Sequence, residues 1–320
     1  MRINKTENSS KIYKILESCV LCPHKCRVNR LIGEKGFCQA PEEVIISSAM
    51  AHHGEEPPIS GDSGSGTIFF SYCNMKCVYC QNYQISQEHE GKPITIDELA
   101  NIMLLLQKKG CHNINFVSPT IWVPQILKAL DIAKNNGLYI PLVYNTGGYD
   151  NPKIIKMLNG IIDIYMPDIR YSNDKDAEKY SGIKNYVKYN RLSIKEMYRQ
   201  VGGLKLNKKG IAIRGLLIRL LVLPNNIGGI KDTLDFIKNE LSSDVYLSIM
   251  AQYHPDYKAY KFPELSRRIY QKEYLEIVDY AEKIGLTNGW TQDYYSLEKE
   301  DLFIPDFKKK NVFKFYDKNL

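Results

Sequence analysis

Three cysteines stand close together in Phe69-Phe70-Ser71-Tyr72-Cys73-Asn74-Met75-Lys76-Cys77-Val78-Tyr79-Cys80-Gln81-Asn82, with the spacing C-x3-C-x2-C. Thiolates this near one another converge when the backbone wraps around a metal centre. A cubane iron–sulfur cluster takes four ligands, so three cysteines leave one iron open to a small molecule. A structural zinc knuckle more often supplies four ligands at paired spacings. A disulfide reading needs an even set and an oxidising compartment. The spacing favours the open-iron cluster, with zinc as the alternative.

A second set lies upstream, in Cys19-x2-Cys22-Pro23-His24-Lys25-Cys26 and then Cys38, with the turn-rich Gly33-Glu34-Lys35-Gly36 between. A segment this short cannot build a core unaided, so metal ligation is expected. Four thiolates suit zinc and equally suit a second iron–sulfur cluster. They would close the coordination sphere, so the expected role is structural or electron-relaying. Cys111 stands alone and reads as a small buried hydrophobe. His24 and His112 carry no spacing signal. His52-His53-Gly54-Glu55-Glu56 reads either as a polar site near the cluster or as a turn at the barrel rim. The Gly61–Gly66 stretch lacks the Lys-Ser/Thr of a phosphate loop and reads as slack before a strand.

The elements that must position these groups alternate from residue 67 onward. Six strands are expected, at Thr67–Ser71, Asn113–Val117, Tyr139–Tyr144, Ile161–Met166, Leu216–Leu223 and Val245–Met250. Between them, Thr95-Ile96-Asp97-Glu98 reads as a capping box and Pro124 as a first-turn proline. Further helices are expected near 151–158, 174–180, 229–241 and 271–284. Strands alternating with helices predict a parallel sheet with right-handed crossovers, here an α/β fold of partial (β/α)6 TIM-like barrel type. Function in such barrels sits at the carboxyl ends of the strands. Those ends carry Cys73–Cys80, Ser118-Pro119-Thr120, Asn145-Thr146-Gly147-Gly148, Asp168-Ile169-Arg170 and Gln252-Tyr253-His254. The expected organisation is a Cys-rich metal-binding segment (1–62), a barrel (63–292) and a basic, aromatic tail (293–320).

The cysteine stretch, with Tyr79 before the last cysteine, resembles the radical S-adenosylmethionine (SAM) superfamily. Gly64-Ser65-Gly66-Thr67-Ile68-Phe69-Phe70 and Cys77-Val78-Tyr79-Cys80-Gln81-Asn82-Tyr83 look more narrowly like proteins related to pyruvate formate-lyase activating enzyme. The resemblance covers about residues 19 to 292. It implies that Cys73, Cys77 and Cys80 hold a [4Fe–4S] cluster whose open iron is chelated by SAM. It implies reductive cleavage of SAM to a 5′-deoxyadenosyl radical that abstracts hydrogen from a substrate, with flavodoxin or ferredoxin as reductant. Asn145-Thr146-Gly147-Gly148 resembles the family's Thr-x-Gly turn. Asp168-Ile169-Arg170 resembles its Asp-x-Lys, which places Asp168 at the SAM ribose or amino group and Arg170 at its carboxylate. The family's glycine-rich turn after the second strand is replaced here, leaving Ser118 and Thr120 as the SAM-contact candidates. Arg219 looks like the fifth-strand arginine and calls for an anion in the barrel; Leu220 stands where related proteins often place histidine. The substrate implied is a protein or peptide, as for glycyl-radical activators. RNA modification and a non-catalytic iron–sulfur carrier are the alternatives.

Composition bounds the rest. A chain of 320 residues, 44% hydrophobic and 25% charged, is ordinary for a globular protein. Met1–Ser10 lacks an apolar h-region, so no signal peptide is read there. The most apolar stretch, Ile211–Leu223, is broken by Arg214 and Arg219, and no membrane segment is expected. Seven of the eight cysteines fall into the two sets, which suits metal ligation in a reducing cytoplasm. The net charge of +7 and the run Lys308–Tyr316 leave room for a nucleic-acid partner, though a solvated basic surface and a docked or frayed tail are the plainer readings.

Overall fold

The computed structural model describes residues 5–294, 305–309 and 312. In chain order the strands are β1 (Val44–His52), β2 (Ser65–Phe70), β3 (Lys92–Ile94), β4 (Ile114–Val117) and β5 (Leu142–Thr146), then β6 (Ile164–Pro167), β7 (Lys205–Leu206), β8 (Ala212–Leu221), β9 (Tyr246–Met250) and β10 (Gly289–Thr291). They form one sheet in the order β10-β9-β8-β6-β5-β4-β2-β1-β3, with β7 paired to β8. From β2 to β10 every neighbour on this path is parallel. β1 and β3 extend the β2 edge in antiparallel fashion, and β7 lies antiparallel to β8. The protein is therefore a mixed α/β fold on a mainly parallel sheet. Among the described residues no helix is long and apolar enough to cross a membrane.

The six expected strands are β2, β4, β5, β6, β8 and β9, two of them starting three residues later than expected. β5 begins at Leu142 because Tyr139 is 83% exposed and Pro141 has no N–H to give a ladder. β6 begins at Ile164 because Ile161 closes a turn on the Leu158 carbonyl at 3.0 Å. The sequence reading does not contain β1, β3, β7 or β10. In β1 a pair of serines interrupts the apolar run and a bulge falls between Ile46 and Ser48. β3 is an exposed edge strand containing Pro93. β1 makes residues 44–52 part of the sheet itself.

The sheet curls. Phe70, Val117, Asn145, Asp168, Leu221 and Met250, from the ends of six neighbouring strands or just beyond, line one cavity. At ~4.8 Å per strand a flat sheet would hold β2 and β9 roughly 24 Å apart. Asn115 on β4 and Arg219 on β8 also reach the same carboxylate, Glu55, across the interior. Helices cover the outside. The Ile96–Lys108 helix opens on the expected capping box: Thr95 Oγ1 accepts from Glu98 N at 3.1 Å, and Glu98 Oε2 accepts from Thr95 N at 2.7 Å. Its buried Leu99, Ala100, Met103 and Leu106 recur at helical spacing toward the sheet. Fully buried Trp122 donates from Nε1 to the Ser71 carbonyl at 2.9 Å, pinning the chain where it leaves β2.

Candidate active site

β2 delivers the chain into the cysteine loop. Tyr72 adopts φ +66 there, a left-handed conformation costly for a residue with a Cβ, and its ring stacks on His89 at 4.0 Å. Tyr72 N donates to Ile85 O at 2.8 Å, Lys76 N to Ser181 O at 2.9 Å and Val78 N to Tyr180 O at 2.9 Å. Tied from outside at alternating residues, the loop turns Cys73, Cys77 and Cys80 onto the cavity wall. Each sulfur has a polar neighbour. Met75 N donates to Cys73 Sγ at 3.4 Å, Ser181 Oγ donates to Cys77 Sγ at 3.0 Å, and Ser86 Oγ lies 3.2 Å from Cys80 Sγ. Tyr79 is buried, and its hydroxyl extends the Cys77 contact outward through Tyr171 (2.7 Å) and Ser181 (2.6 Å). Burial, reinforced by the neighbouring Cys77 charge, pushes the Cys73 thiol up to about 12 and the Cys80 thiol to about 11. Thiolates held this close repel one another; a cationic centre among them would relieve that repulsion, and loading one would release protons.

The facing wall comes from the other strand ends. Asp168 accepts from Arg170 Nη2 at 2.5 Å, and both side chains line the cavity. Arg170 Nε is buried with no acceptor among the described residues. Arg219, within aliphatic β8, lies among three carboxylates: Glu55 at 3.3 Å, Glu56 at 3.2 Å and Asp168 at 3.8 Å. The approach of Glu56 Oε1 to Nε lacks the alignment of a hydrogen bond, which leaves that N–H unsatisfied; the other Glu56 oxygen, Oε2, is also buried without a hydrogen bond. Burial raises the Glu55 and Glu56 carboxyls above the usual carboxylate range, and the Arg219 charge offsets only part of that rise. Glu55 also accepts from Asn115 Nδ2 at 2.9 Å. The anion expected beside Arg219 is thus supplied first by the chain itself.

The remaining candidates divide. Ser118, Asn145 and Thr146 line the cavity. The Thr146 hydroxyl donates to buried Asp150 at 2.8 Å and accepts from Gly148 N at 3.2 Å, so it shapes its turn. Thr120 is 4% exposed, donates to Asp150 at 2.7 Å, and lies behind the wall. Asp150 gathers both threonines and the Tyr144 hydroxyl, which donates at 3.0 Å; the sequence reading gave it no role. His52 and Glu55 join the cavity wall, so the polar-site alternative for residues 52–56 describes their placement.

Arg170 and Asp168 line the same cavity as the three thiols, at the carboxyl ends of parallel strands. Gly147 offers no Cβ there; one would come within 2.9 Å of Met75 Sδ. These groups fit an anionic ligand lying beside a thiolate-held metal centre, and they define an α/β protein with a cofactor site at the mouth of a curled sheet. The radical SAM superfamily model matches residues 67–237, and this chain belongs to that superfamily.

An uncharacterized protein of Methanocaldococcus jannaschii is 34% identical over 295 residues, covering 88% of this chain and 78% of that protein. A second from the same organism is 24% identical over 290 residues, covering 81% and 79%. Among solved structures, Streptococcus suis SuiB bound to precursor peptide SuiA is 14% identical with a TM-score of 0.48 over 71% of this chain and 48% of that one. A radical SAM methyltransferase from Sphaerobacter thermophilus is 12% identical with a TM-score of 0.48 over 73% and 68%. The chain thus spans about half the length of SuiB. Members of the superfamily use a [4Fe–4S] cluster and SAM, require a reductant and act on a substrate.

Proposed function

We propose that the protein is a radical SAM enzyme of activating-enzyme-like type acting on a protein or peptide. Cys73, Cys77 and Cys80 are assigned to the [4Fe–4S] cluster. Asp168 and Arg170 are assigned to SAM, with Ser118, Asn145 and Thr146 completing that wall. The observation that carries this reading is that the Asp168–Arg170 pair lines the same cavity as the three cysteines. Bound together, cluster and SAM supply one-electron cleavage of SAM and hydrogen abstraction from the substrate. The chain's own part is to hold the thiolates under directed N–H and O–H groups and to orient a carboxylate with a rigid fork. Arg219 serves by holding Glu55, Glu56 and Asp168 in place.

Two observations bear on partners. Lys308 pairs with Glu88 at 3.5 Å and Glu90 at 3.9 Å, and Lys309 with Asp306 at 3.5 Å, so these tail lysines are occupied by the protein's own carboxylates. That favours a protein or peptide substrate over RNA; Lys310 and residues 313–316 of that run lie outside the described residues. The catalytic body is assigned to 63–292 together with β1 and the cavity-lining His52 and Glu55, with the cysteine-rich stretch upstream of β1 as the metal-binding segment, 293–320 as the tail, a flavodoxin or ferredoxin as electron donor, and the cytoplasm as its location.

The test replaces Cys73, Cys77 and Cys80 together with alanine. After anaerobic reconstitution and dithionite, 5′-deoxyadenosine production is expected to fall to the level without enzyme. Production at the parent rate would remove the radical SAM assignment of these cysteines.

A further inference from the structure

The other cysteine set lies outside the cavity. Cys19, Cys22, Cys26 and Cys38 carry free thiols. The segment is folded by a few main-chain bonds: Cys19 N to Val28 O and Arg27 N to Cys19 O, both 2.9 Å, and Lys25 N to Cys22 O at 3.1 Å. These bring Cys19, Cys22 and Cys26 into one turn, and Cys38 is tied to it through its neighbour Phe37, whose N–H donates to Cys26 Sγ.

Backbone N–H groups are aimed at the sulfurs. Cys22 Sγ receives the amide of His24, and Cys38 Sγ that of Ala40, in each case two residues on. Cys26 Sγ receives the amide of Phe37 at 3.3 Å. The cluster loop repeats the arrangement, with Met75 N on Cys73 and Asn82 N on Cys80. An N–H directed at sulfur stabilises a thiolate far more than a thiol, and ligated thiolates are the ones that need it. Gly36 completes the cradle, since a Cβ there would come within 2.8 Å of Cys26 Sγ. Among the described residues no three such side chains stand at the spacing of ligands around one ion. These cysteines sit on turns, where side-chain rotation can draw the sulfurs inward on loading.

The segment grips the cluster loop. His24 Nε2 donates to the Asn74 carbonyl at 3.0 Å, one residue from Cys73. The same ring stacks on Phe37 at 3.8 Å, and Lys76 Nζ sits 4.4 Å above the other partner of that stack, Phe37. Asn74 is held from its side chain as well, donating to Tyr149 O at 2.6 Å.

We propose that Cys19, Cys22, Cys26 and Cys38 hold a second, thiophilic metal centre, either zinc or an iron–sulfur cluster, and that this centre positions the Cys73–Cys77 loop through His24 and Phe37. The ligand set stands independently of the SAM reading. A site of four thiolates has no open position, so its service is to fix structure and, if it holds iron, to pass electrons toward Cys73.

Metal and acid-labile sulfide are measured on the full chain with Cys73, Cys77 and Cys80 replaced by alanine, purified without oxygen. About one zinc per chain, or iron with sulfide, supports the centre and tells the two chemistries apart; neither overturns it. Alkylation of the parent chain guards against misfolding of that variant. The partly exposed Cys19, Cys26 and Cys38 should resist iodoacetamide until a chelator is added, and immediate labelling would again overturn the centre. For the positioning role, His24→Ala should keep the second metal while shifting the electron paramagnetic resonance of the reduced [4Fe–4S] cluster. His24→Gln, which can still donate to Asn74 O, should restore the parent spectrum. A parent spectrum from His24→Ala would show that the N-terminal centre does not position the loop.

Discussion

A largely buried guanidinium must find acceptors, and Arg170, just beyond β6, and Arg219, within β8, find them differently. Arg219 is surrounded by three carboxylates of the chain, whereas Arg170 has one; each keeps a buried Nε–H without a hydrogen-bond partner. Losing one partner of a buried, hydrogen-bonded pair costs about 2–5 kcal/mol of binding, and solvent access to this cavity argues for the low end. Arg170→Ala and Asp168→Ala should each weaken SAM binding by roughly tenfold or more, read by anaerobic calorimetry, with the cluster's visible absorbance intact. Parent affinity in both would remove these residues from the SAM site. The cysteine loop was legible because a ligand set on consecutive turns is written in local spacing. Asp168 and Arg170 were legible as residues just beyond a strand end. The Arg219–Glu55 pairing was not, since 164 residues separate its members and only the curl of the sheet brings them together. Thr120 was misplaced for a related reason: a hydroxyl at a strand end can point to the ligand or to a buried carboxylate, and Asp150 decides which.

Among the elements, the Tyr186–Val201 helix is absent from the sequence reading and closes one side of the site. Its inward face carries Asn190 and Ser193 among apolar residues, which breaks the hydrophobic periodicity that marks a helix. Those polar groups have a purpose. Asn190 Nδ2 donates to Gly148 O at 3.0 Å and Asp168 O at 3.2 Å, fastening the β5 and β6 turns together. Gly148 has φ +78, and a Cβ there would collide with the Asp168 carbonyl and the Asn190 amide. Gly148→Ala should therefore destabilise the protein by roughly 2–5 kcal/mol, combining left-handed strain with overpacking. Gly160→Ala, at φ +76 with open space around it, should carry only the strain, about 1–2 kcal/mol. Urea midpoints at constant slope separate the two, and equal shifts would mean that the turn yields freely.

For the whole molecule, the alternation of strand and helix made the parallel sheet readable, while its curl and its antiparallel β1 edge depend on contacts far apart in the chain. One such contact has a stability consequence. Burial, then the charge of Arg219, pushes the His52 imidazole down to about 4 from 6.5. Between those values the unfolded chain binds the proton and the folded chain does not, so stability falls as pH drops from 6.5 toward 4. The contribution above that window is on the order of 3 kcal/mol. His52→Gln should flatten this part of the stability profile in urea melts between pH 7 and 4, and an unchanged slope would mean that His52 does not govern it. The tail adds a matter of timing. Phe307 packs on Phe69 at 5.3 Å, and Val312 is buried against Phe69, Ile85 and Val117, which also form part of the cavity wall. Met250, which ends the last strand lining the cavity, leaves the ribosome about 57 residues ahead of Phe307. At ~5–20 residues per second that is an interval of roughly 3–11 s. During it Phe69, Ile85 and Val117 stand without the apolar cover that Phe307 and Val312 give them in the folded chain.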